Sequence, residues 1–159
     1  MKTYRVLFVC MGNICRSPAG EAVLRKLAEE EGLDDRLDID SAGTIGFHTG
    51  SPPDARMQDA AANRGIRTGG HARQVRQEDL DTFHRVLAMD HDNLRDLLAL
   101  AQTQDQRDTI RPFCDYCQKH DNRDVPDPYY GGAHGFEIVL DLLEDGCRQI
   151  LDEARDAVE

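Results

Sequence analysis

The sequence has no apolar run long enough to cross a membrane and no excess of basic residues. A membrane-spanning helix needs about 18 or more consecutive apolar residues, and every apolar stretch in this chain of 159 residues is shorter. Its 30 acidic and 19 basic residues give a net charge of −11, which disfavours nucleic acid or an anionic membrane as the main partner. We therefore expect a soluble protein without a signal peptide.

Two other patterns are missing as well. No G-x-x-x-x-G-K-[ST] motif occurs, so a nucleotide-binding loop of that type is not expected. The five cysteines are an odd number without regular spacing, which favours free thiols in a reducing cytoplasm over a disulfide framework. The length suits one domain, which we place at residues 1–159.

The stretch from Val6 to Pro18 contains the strongest local signal. Its first residues are apolar and β-branched or aromatic, as in a buried strand. Gly12 and Asn13 then allow unusual backbone angles, and Ser17 before Pro18 predicts a helix start with the serine as N-cap. A strand, tight loop and helix in this order direct backbone N–H groups and the positive end of a helix at one spot, which favours anion binding.

Two side chains make this loop chemically reactive. Cys10 lies at the strand end, where the field of the loop favours the thiolate. Arg16 has a planar fork of donors that suits the oxygens of a phosphate. A cysteine at the end of a buried strand is more often a small core residue. Combined with Arg16 and the glycine-bearing loop, however, Cys10 is interpreted as a nucleophile that attacks phosphorus.

Strand and helix signals alternate along the whole chain. Strands are predicted at 6–9, 37–40, 85–89 and 109–113. Helices are predicted at 18–30, which Gly32 ends, over about ten residues that Asp54 caps, at 93–101 and at 134–158. This alternation predicts an α/β fold: a three-layer, doubly wound sheet of about four parallel strands, with helices on both faces and a phosphate-binding loop after strand 1. Ligands bind at the carboxyl ends of such strands, where Cys10, Ser41 and Asp90 should meet.

A second polar stretch lies between the fourth strand and the last helix. Asp127 stands between two prolines and is followed by Tyr129, Tyr130 and two glycines. A surface turn would explain the Asp-Pro pair alone. Adjacent tyrosines in a chain with four tyrosines and five phenylalanines favour a site. If the loop folds over the first one, Asp127 can protonate a leaving oxygen and the tyrosines can flank an aromatic ring.

Together these segments resemble the low-molecular-weight protein tyrosine phosphatases. The resemblance is carried by residues 9–18 and 127–130, and it extends to 41–44, 72–74, 89–90 and 93–94. A C-x5-R-S loop also occurs in unrelated phosphatases and some arsenate reductases, and the distal Asp-Pro-Tyr-Tyr makes the match specific. The resemblance implies metal-independent hydrolysis of phosphotyrosine in proteins, and of small aryl phosphates, through a cysteinyl-phosphate, with no cofactor.

The resemblance also implies a role for each matching catalytic residue. Cys10 would be the nucleophile and Arg16 would bind the phosphoryl oxygens. Asp127 would protonate the leaving tyrosine and then activate the water that hydrolyses the intermediate. The phosphate-binding loop would consist of Met11, Gly12, Asn13, Ile14, Cys15 and Arg16.

Further residues would support this chemistry. Ser17 would donate a hydrogen bond to the Cys10 sulfur, while Asn13 and Ser41 would brace the loop. Cys15 would form a reversible disulfide with Cys10 and protect it from over-oxidation. Three aromatic residues would line the substrate slot: Phe47, Tyr129 and Tyr130. His48, beside the slot, is interpreted as a solvated loop histidine.

The expected partner is a phosphotyrosine-containing protein, with a bacterial-type tyrosine kinase as one candidate. Two other functions stay open. One is an arsenate reductase-type thiol redox enzyme on the same scaffold, with Cys114 or Cys117 as the resolving thiol. The other is a non-enzymatic phosphotyrosine-binding module. Asp127 and the tyrosine pair argue against the reductase, and a binding module would need no thiolate.

Cys114 and Cys117 form a C-x2-C pair outside the family pattern. Free thiols are the simplest interpretation. Half of a zinc site with His120 as a third ligand, and a local redox pair, are the alternatives.

Overall fold

A computed structural model describes residues 2–129 and 132–159 of the chain. Its centre is a sheet of four parallel strands: β1 (Tyr4–Cys10), β2 (Leu37–Gly43), β3 (Arg85–Ala88) and β4 (Ile110–Pro112). The order across the sheet is β2-β1-β3-β4. The predicted parallel sheet is confirmed, including β4. Pro112 fits in β4 because it is the last residue of an edge strand, where a missing N–H is tolerated.

Six helices connect and cover the strands in the described residues. They are α1 (Arg16–Glu30), α2 (Ala55–Ala62), α3 (Asp79–Thr82), α4 (His91–Leu100), α5 (Gln104–Thr109) and α6 (Ala133–Val158), with 3-10 turns at Asp34–Arg36 and Phe113–Tyr116. Within the same residues, none of these helices is both long and apolar enough to span a bilayer.

Two hydrophobic layers hold the helices to the sheet. Val6 and Phe8 of β1 face one layer, which also contains the apolar faces of α1, α2 and α6. Leu7 and Val9 face the other layer, which contains Leu97 of α4 and residues of α3. Strand β1 is therefore buried on both faces, which explains its continuous apolar sequence. The arrangement is the predicted three-layer α/β fold.

Helix α1 begins earlier than the sequence predicted. Its N-cap is Cys15, without a side-chain cap, so Ser17 already lies within the first turn and the prediction of Ser17 as N-cap was wrong. The physical reason is competition for the hydroxyl, which is bonded to the Cys10 sulfur and to Asn13 instead of to the helix amides. No N-cap side chain therefore competes with an anion for the first-turn amides of α1. The helix end is as predicted, because Gly32 has a φ of 70° just beyond the C-cap.

Gly146 is required where α6 packs against Phe113 of the 3-10 turn after β4. A Cβ atom built on Gly146 would collide with the ring of Phe113, which is fully buried and packs on Phe8 at 6.1 Å between ring centroids. We expect Gly146→Ala to lower the free energy of unfolding by about 1–3 kcal/mol through overpacking. Chemical denaturation of the two proteins measures this difference.

Gly135→Ala in the same helix is the matched control. Its Cβ would meet Pro128 Cβ at 3.5 Å, an ordinary contact, so the better helix propensity of alanine should raise stability by up to about 1 kcal/mol. Equal unfolding free energies for the two variants would contradict the packing role of Gly146.

Candidate active site

The loop after β1 lies at the topological switch point of the sheet. Strand β1 has β2 on one side and β3 on the other, so the connections leave in opposite directions and open a crevice at its carboxyl end. Cys10 is the last residue of β1, and α1 starts at Arg16. The loop between them thus stands where doubly wound sheets bind ligands.

Backbone hydrogen bonds fix the direction of the loop amides. The carbonyl oxygens of Cys10, Met11 and Ile14 accept hydrogen bonds from the N–H groups of residues 44, 45 and 54, at 2.9, 3.1 and 2.8 Å. Since the C=O and N–H of one peptide point in opposite directions, the amides that follow these carbonyls face away from these partners. The Asn13 N–H donates directly to Cys10 Sγ at 3.3 Å. The loop therefore presents N–H groups rather than carbonyls to an anion.

Asn13 holds the loop in an unusual backbone conformation. Its φ is 58°, in the left-handed region that asparagine adopts more readily than most residues. Its Nδ2 donates to Ser17 Oγ at 2.8 Å, and its Oδ1 accepts from the Arg73 N–H at 3.0 Å. These bonds support the predicted bracing role of Asn13. Arg73 was not predicted to take part.

Ser41 does not take the place predicted for it. Its hydroxyl donates to Glu21 Oε1 at 2.9 Å, and within the described residues no hydrogen bond joins its side chain to the loop. The expectation that Ser41 braces the loop directly is corrected. Ala42 provides the neighbouring contact instead, with its carbonyl oxygen 3.3 Å from Ser17 Oγ.

The sulfur of Cys10 is surrounded by donors. Cys10 is 2 % exposed, and its Sγ lies 2.9 Å from Ser17 Oγ as well as 3.3 Å from the Asn13 nitrogen. A thiolate has no proton to donate, so the Ser17 hydroxyl would donate to it. The N-terminus of α1 adds positive potential. This environment suits a thiolate, as the sequence predicted.

Arg16 is buried and is held by groups from two other segments. Its Nη1 donates to Asp90 Oδ2 at 2.5 Å and to the Val125 carbonyl oxygen at 3.1 Å. Its Nη2 lies 3.5 Å from Asp127 Oδ2. Burial acts to lower the pKa of Arg16, but the negative charges of Cys10 and Asp90 outweigh it, so the pKa is raised. Arg16 is therefore a permanent, oriented cation beside the sulfur.

Asp90 is a residue whose role the sequence prediction missed. Its Oδ1 accepts the Asn93 N–H at 2.8 Å and caps α4, while its Oδ2 accepts from Arg16. The topology placed Asp90 at the correct edge of the sheet without indicating its partner. The available signal was an aspartate at the end of a strand and before a helix, on the same edge of the sheet as the loop that carries Arg16.

Asp127 reaches the same place from the distal loop. Its Oδ1 accepts the Tyr129 N–H at 3.0 Å, and its Oδ2 faces Arg16. The carboxyl is one-third exposed. The structure thus brings Cys10, Arg16 and Asp127 together, as expected from the sequence. A cavity of about 50 Å³ lies between them, and its lining residues are Cys10, Met11, Gly12, Ile14, Cys15, Arg16, His48, Asp127 and Tyr129.

The aromatic wall differs from the prediction. Tyr129 lines the cavity, whereas Phe47 is 83 % exposed and packs edge-on against His48 at 4.9 Å between centroids. His48 itself lines the cavity and lies 6.4 Å from the Tyr129 ring. His48 thus lies beside the slot, as expected from the sequence, and it is half-buried rather than fully solvated. Tyr130 lies outside the described residues, and the roles of Phe47 and Tyr130 stay predictions.

Asp54 and Arg56 connect Tyr129 to the phosphate-binding loop. Asp54 caps α2 by accepting the Arg56 N–H at 2.8 Å, and its own N–H donates to the Ile14 carbonyl oxygen. The Arg56 guanidinium lies over the Tyr129 ring, 5.4 Å from its centroid. This unpredicted link connects the phosphate loop to the tyrosine.

Cys15 lies in the loop itself and is a neutral thiol. Burial, together with the negative charges of Asp54 and Cys10, raises its pKa to about 12. Cys10 and Cys15 are both free, and their pairing stays a prediction.

The zinc interpretation of the C-x2-C pair receives no support from the geometry. His120 Nδ1 is bonded to Asp145 Oδ2 at 2.7 Å. Across residues 2–129 and 132–159, no three histidine, cysteine or carboxylate side chains converge in a way that would hold a metal ion.

Comparisons with known proteins place the chain in a family. The sequence model of the family described as low molecular weight phosphotyrosine protein phosphatase matches residues 5–159. A putative low molecular weight protein-tyrosine-phosphatase of Synechocystis is 47 % identical over 147 residues, covering 92 % of this chain and 94 % of its own. The corresponding phosphatase YfkJ of Bacillus subtilis is 45 % identical, covering 92 % of both chains. The crystal structure of a protein tyrosine phosphatase from Entamoeba histolytica, with Hepes in its active site, superposes with a TM-score of 0.94 at 38 % identity, covering 99 % of this chain and all of that one.

Fold and comparisons define an enzyme of the hydrolase class, a protein-tyrosine-phosphatase. Within that class, the chain belongs to the low molecular weight phosphotyrosine protein phosphatase family. The reductase alternative is not favoured: these relatives are phosphatases, and neither Cys114 nor Cys117 lines the cavity of Cys10.

Proposed function

We propose that this protein, as a single domain of residues 1–159, hydrolyses phosphotyrosine in other proteins, and small aryl phosphates, through a cysteinyl-phosphate intermediate. The observation that carries the proposal is the placement of Cys10 Sγ, which lies 2.9 Å from Ser17 Oγ in a cavity also lined by Arg16 and Asp127. Nucleophile, cation and acid thus face one small volume, and none of the steps needs a metal ion.

In the first step the Cys10 thiolate attacks the phosphorus atom of the ester. The bond between phosphorus and the tyrosine oxygen breaks, and Asp127 gives its proton to that oxygen as it leaves. Arg16 and the amides of residues 11–16 bind the three non-bridging oxygens, where negative charge is held in the transition state. The products of this step are the substrate protein with a dephosphorylated tyrosine and the enzyme with a phosphorylated Cys10.

In the second step Asp127, now a carboxylate, takes a proton from water. The water oxygen attacks phosphorus and the bond between phosphorus and sulfur breaks, which releases inorganic phosphate. The Ser17 hydroxyl donates to the departing thiolate and so stabilises it as a leaving group. Asp127 ends protonated, ready for the next cycle.

Substrate choice follows from the walls of the cavity. Tyr129 and His48 line it together, and an aromatic ring packed against them would bring its phosphate to Cys10. Phe47 and Tyr130 are proposed to extend this wall. The proposed partner is a cytoplasmic phosphotyrosine protein, with a bacterial-type tyrosine kinase as a candidate.

The proposal is tested by release of phosphate from p-nitrophenyl phosphate across pH, with EDTA present. We expect a maximum on the acid side of neutral, because turnover needs an ionised Cys10 and a protonated Asp127. A rate that only rises with pH, or that the chelator abolishes, would contradict the mechanism.

A further inference from the structure

The C-x2-C pair of Cys114 and Cys117 takes no part in the proposed phosphatase reaction. Both thiols are free, and neither lines the cavity of Cys10. The pair spans the 3-10 turn Phe113–Tyr116 that follows β4, and the Cys117 N–H donates to the Cys114 carbonyl oxygen at 3.1 Å. The two cysteines are thus joined by one closed turn.

This turn places the two sulfurs within reach of each other. Side chains three residues apart are eclipsed in a 3-10 turn, and its rise of about 2.0 Å per residue separates their Cα atoms by about 6 Å. Disulfides form across Cα separations of about 4.4–6.8 Å. The two thiols also lie close enough for each to shift the pKa of the other. A bond between them needs little backbone movement.

The environment gives the two thiols unequal reactivity. Interaction with Cys117, together with burial, raises the pKa of Cys114, whereas interaction with Cys114 lowers the pKa of Cys117. Cys114 is 8 % exposed, and Cys117 is half-buried. Cys117 is therefore both the more acidic and the more accessible thiol.

Cys147 is the other thiol near Cys117, and it is less suited to pairing. It is fully buried in α6, burial raises its pKa, and its Sγ faces the Gly20 carbonyl oxygen at 3.8 Å. The Cys117 thiol faces the Leu142 carbonyl oxygen at 3.6 Å. Both side chains of the C-x2-C pair, by contrast, belong to the same turn.

We propose that Cys114 and Cys117 are a second thiol–disulfide exchange site, which forms a reversible disulfide by reaction with a small-molecule disulfide. The Cys117 thiolate attacks one sulfur of that molecule, whose S–S bond breaks and releases one small thiolate. Cys114 then loses its proton to water and attacks the Cys117 sulfur, which expels the second small thiolate. The protein loses two electrons, and the small disulfide is reduced to two thiols.

Peptide mass spectrometry tests the proposal on the whole wild-type protein. The reduced protein is equilibrated with glutathione disulfide, quenched with acid, alkylated with N-ethylmaleimide and digested with trypsin. Because trypsin does not cleave before Pro112, both cysteines lie in the peptide 108–119. We expect this peptide to lose two hydrogens, to carry neither maleimide nor glutathione, and to regain both thiols with dithiothreitol. Two alkylated cysteines, or a cross-link to Cys147, would overturn the proposal.

Two serine variants test the order of the steps. Cys114→Ser keeps the attacking thiol and should accumulate glutathione on Cys117, because the resolving thiol is gone. Cys117→Ser should leave Cys114 at least about tenfold less modified, because that thiol is buried and poorly ionised. Equal amounts of glutathione adduct in both variants would overturn the assignment of Cys117 as the attacking thiol. Turnover of p-nitrophenyl phosphate by both reduced variants should match wild type, and the wild-type peptide result stands even if a variant misfolds.

Discussion

Cys10→Ser is expected to lower turnover of p-nitrophenyl phosphate by at least about 10⁴-fold, since removal of a nucleophile costs losses of this order or more. A serine hydroxyl in the same place stays protonated, and the Ser17 hydroxyl 2.9 Å away cannot replace the lost sulfur. Binding should survive, because Arg16 and the loop amides are unchanged. Steady-state kinetics measures the loss, and calorimetric titration with a phosphotyrosine peptide measures the binding.

Cys117→Ser is the matched control for this variant. It removes a thiol that does not line the cavity, so we expect wild-type turnover under reducing conditions. Retention of more than about a tenth of wild-type activity in Cys10→Ser would show that the nucleophile lies elsewhere.

Asp127→Asn is expected to reduce kcat/KM for phenyl phosphate by about 10²–10⁴-fold and kcat/KM for p-nitrophenyl phosphate by much less. Phenolate is a poor leaving group that needs the proton, whereas p-nitrophenolate departs without one. The asparagine oxygen can still accept the Tyr129 N–H, a bond of 3.0 Å in the wild type, so the loop should keep its conformation. Comparison of kcat/KM for the two esters isolates proton donation in the first step, because the second step is the same for both and does not enter kcat/KM.

Asp121→Asn provides the control, since Asp121 is exposed in the same loop. It should change neither ester by more than about twofold, as is usual for surface substitutions away from a site. Equal losses for both esters in Asp127→Asn would mean that Asp127 positions the phosphate and is not the acid.

Local patterns were enough to predict the sheet and the central loop. The apolar run of β1, the glycine after α1 and the Asp54 cap each depend on residues a few positions apart, and the structure has all three. Ser17 shows where a local rule fails. Its preference for an N-cap position competes with two polar partners, Cys10 and Asn13, that are brought to it only by the closed loop.

The partners of the charged and polar site residues were beyond sequence reasoning. Arg16 is bound by Asp90 and Val125, which are 74 and 109 positions away in the chain. Ser41 was placed at the correct strand end, yet its hydroxyl has Glu21 as partner. Such pairings depend on the distance between packed elements to within an ångström, and periodicity contains no information on that scale.

The loop between β4 and α6, which carries Asp127, is fixed by hydrogen bonds at two separate places. Asp145 accepts the N–H groups of Gln118 and Lys119, while Val125 is fixed by its N–H to Met89 and its carbonyl to Arg16. Residues 121–123 lie exposed between these anchors.

Insertions or deletions there should therefore be tolerated, because the spacing from Val125 to Asp127 is unchanged. One residue inserted between 125 and 127 would instead displace the carboxyl by about 3.3–3.6 Å. That shift exceeds the length of a hydrogen bond and would separate the acid from the phosphate it serves.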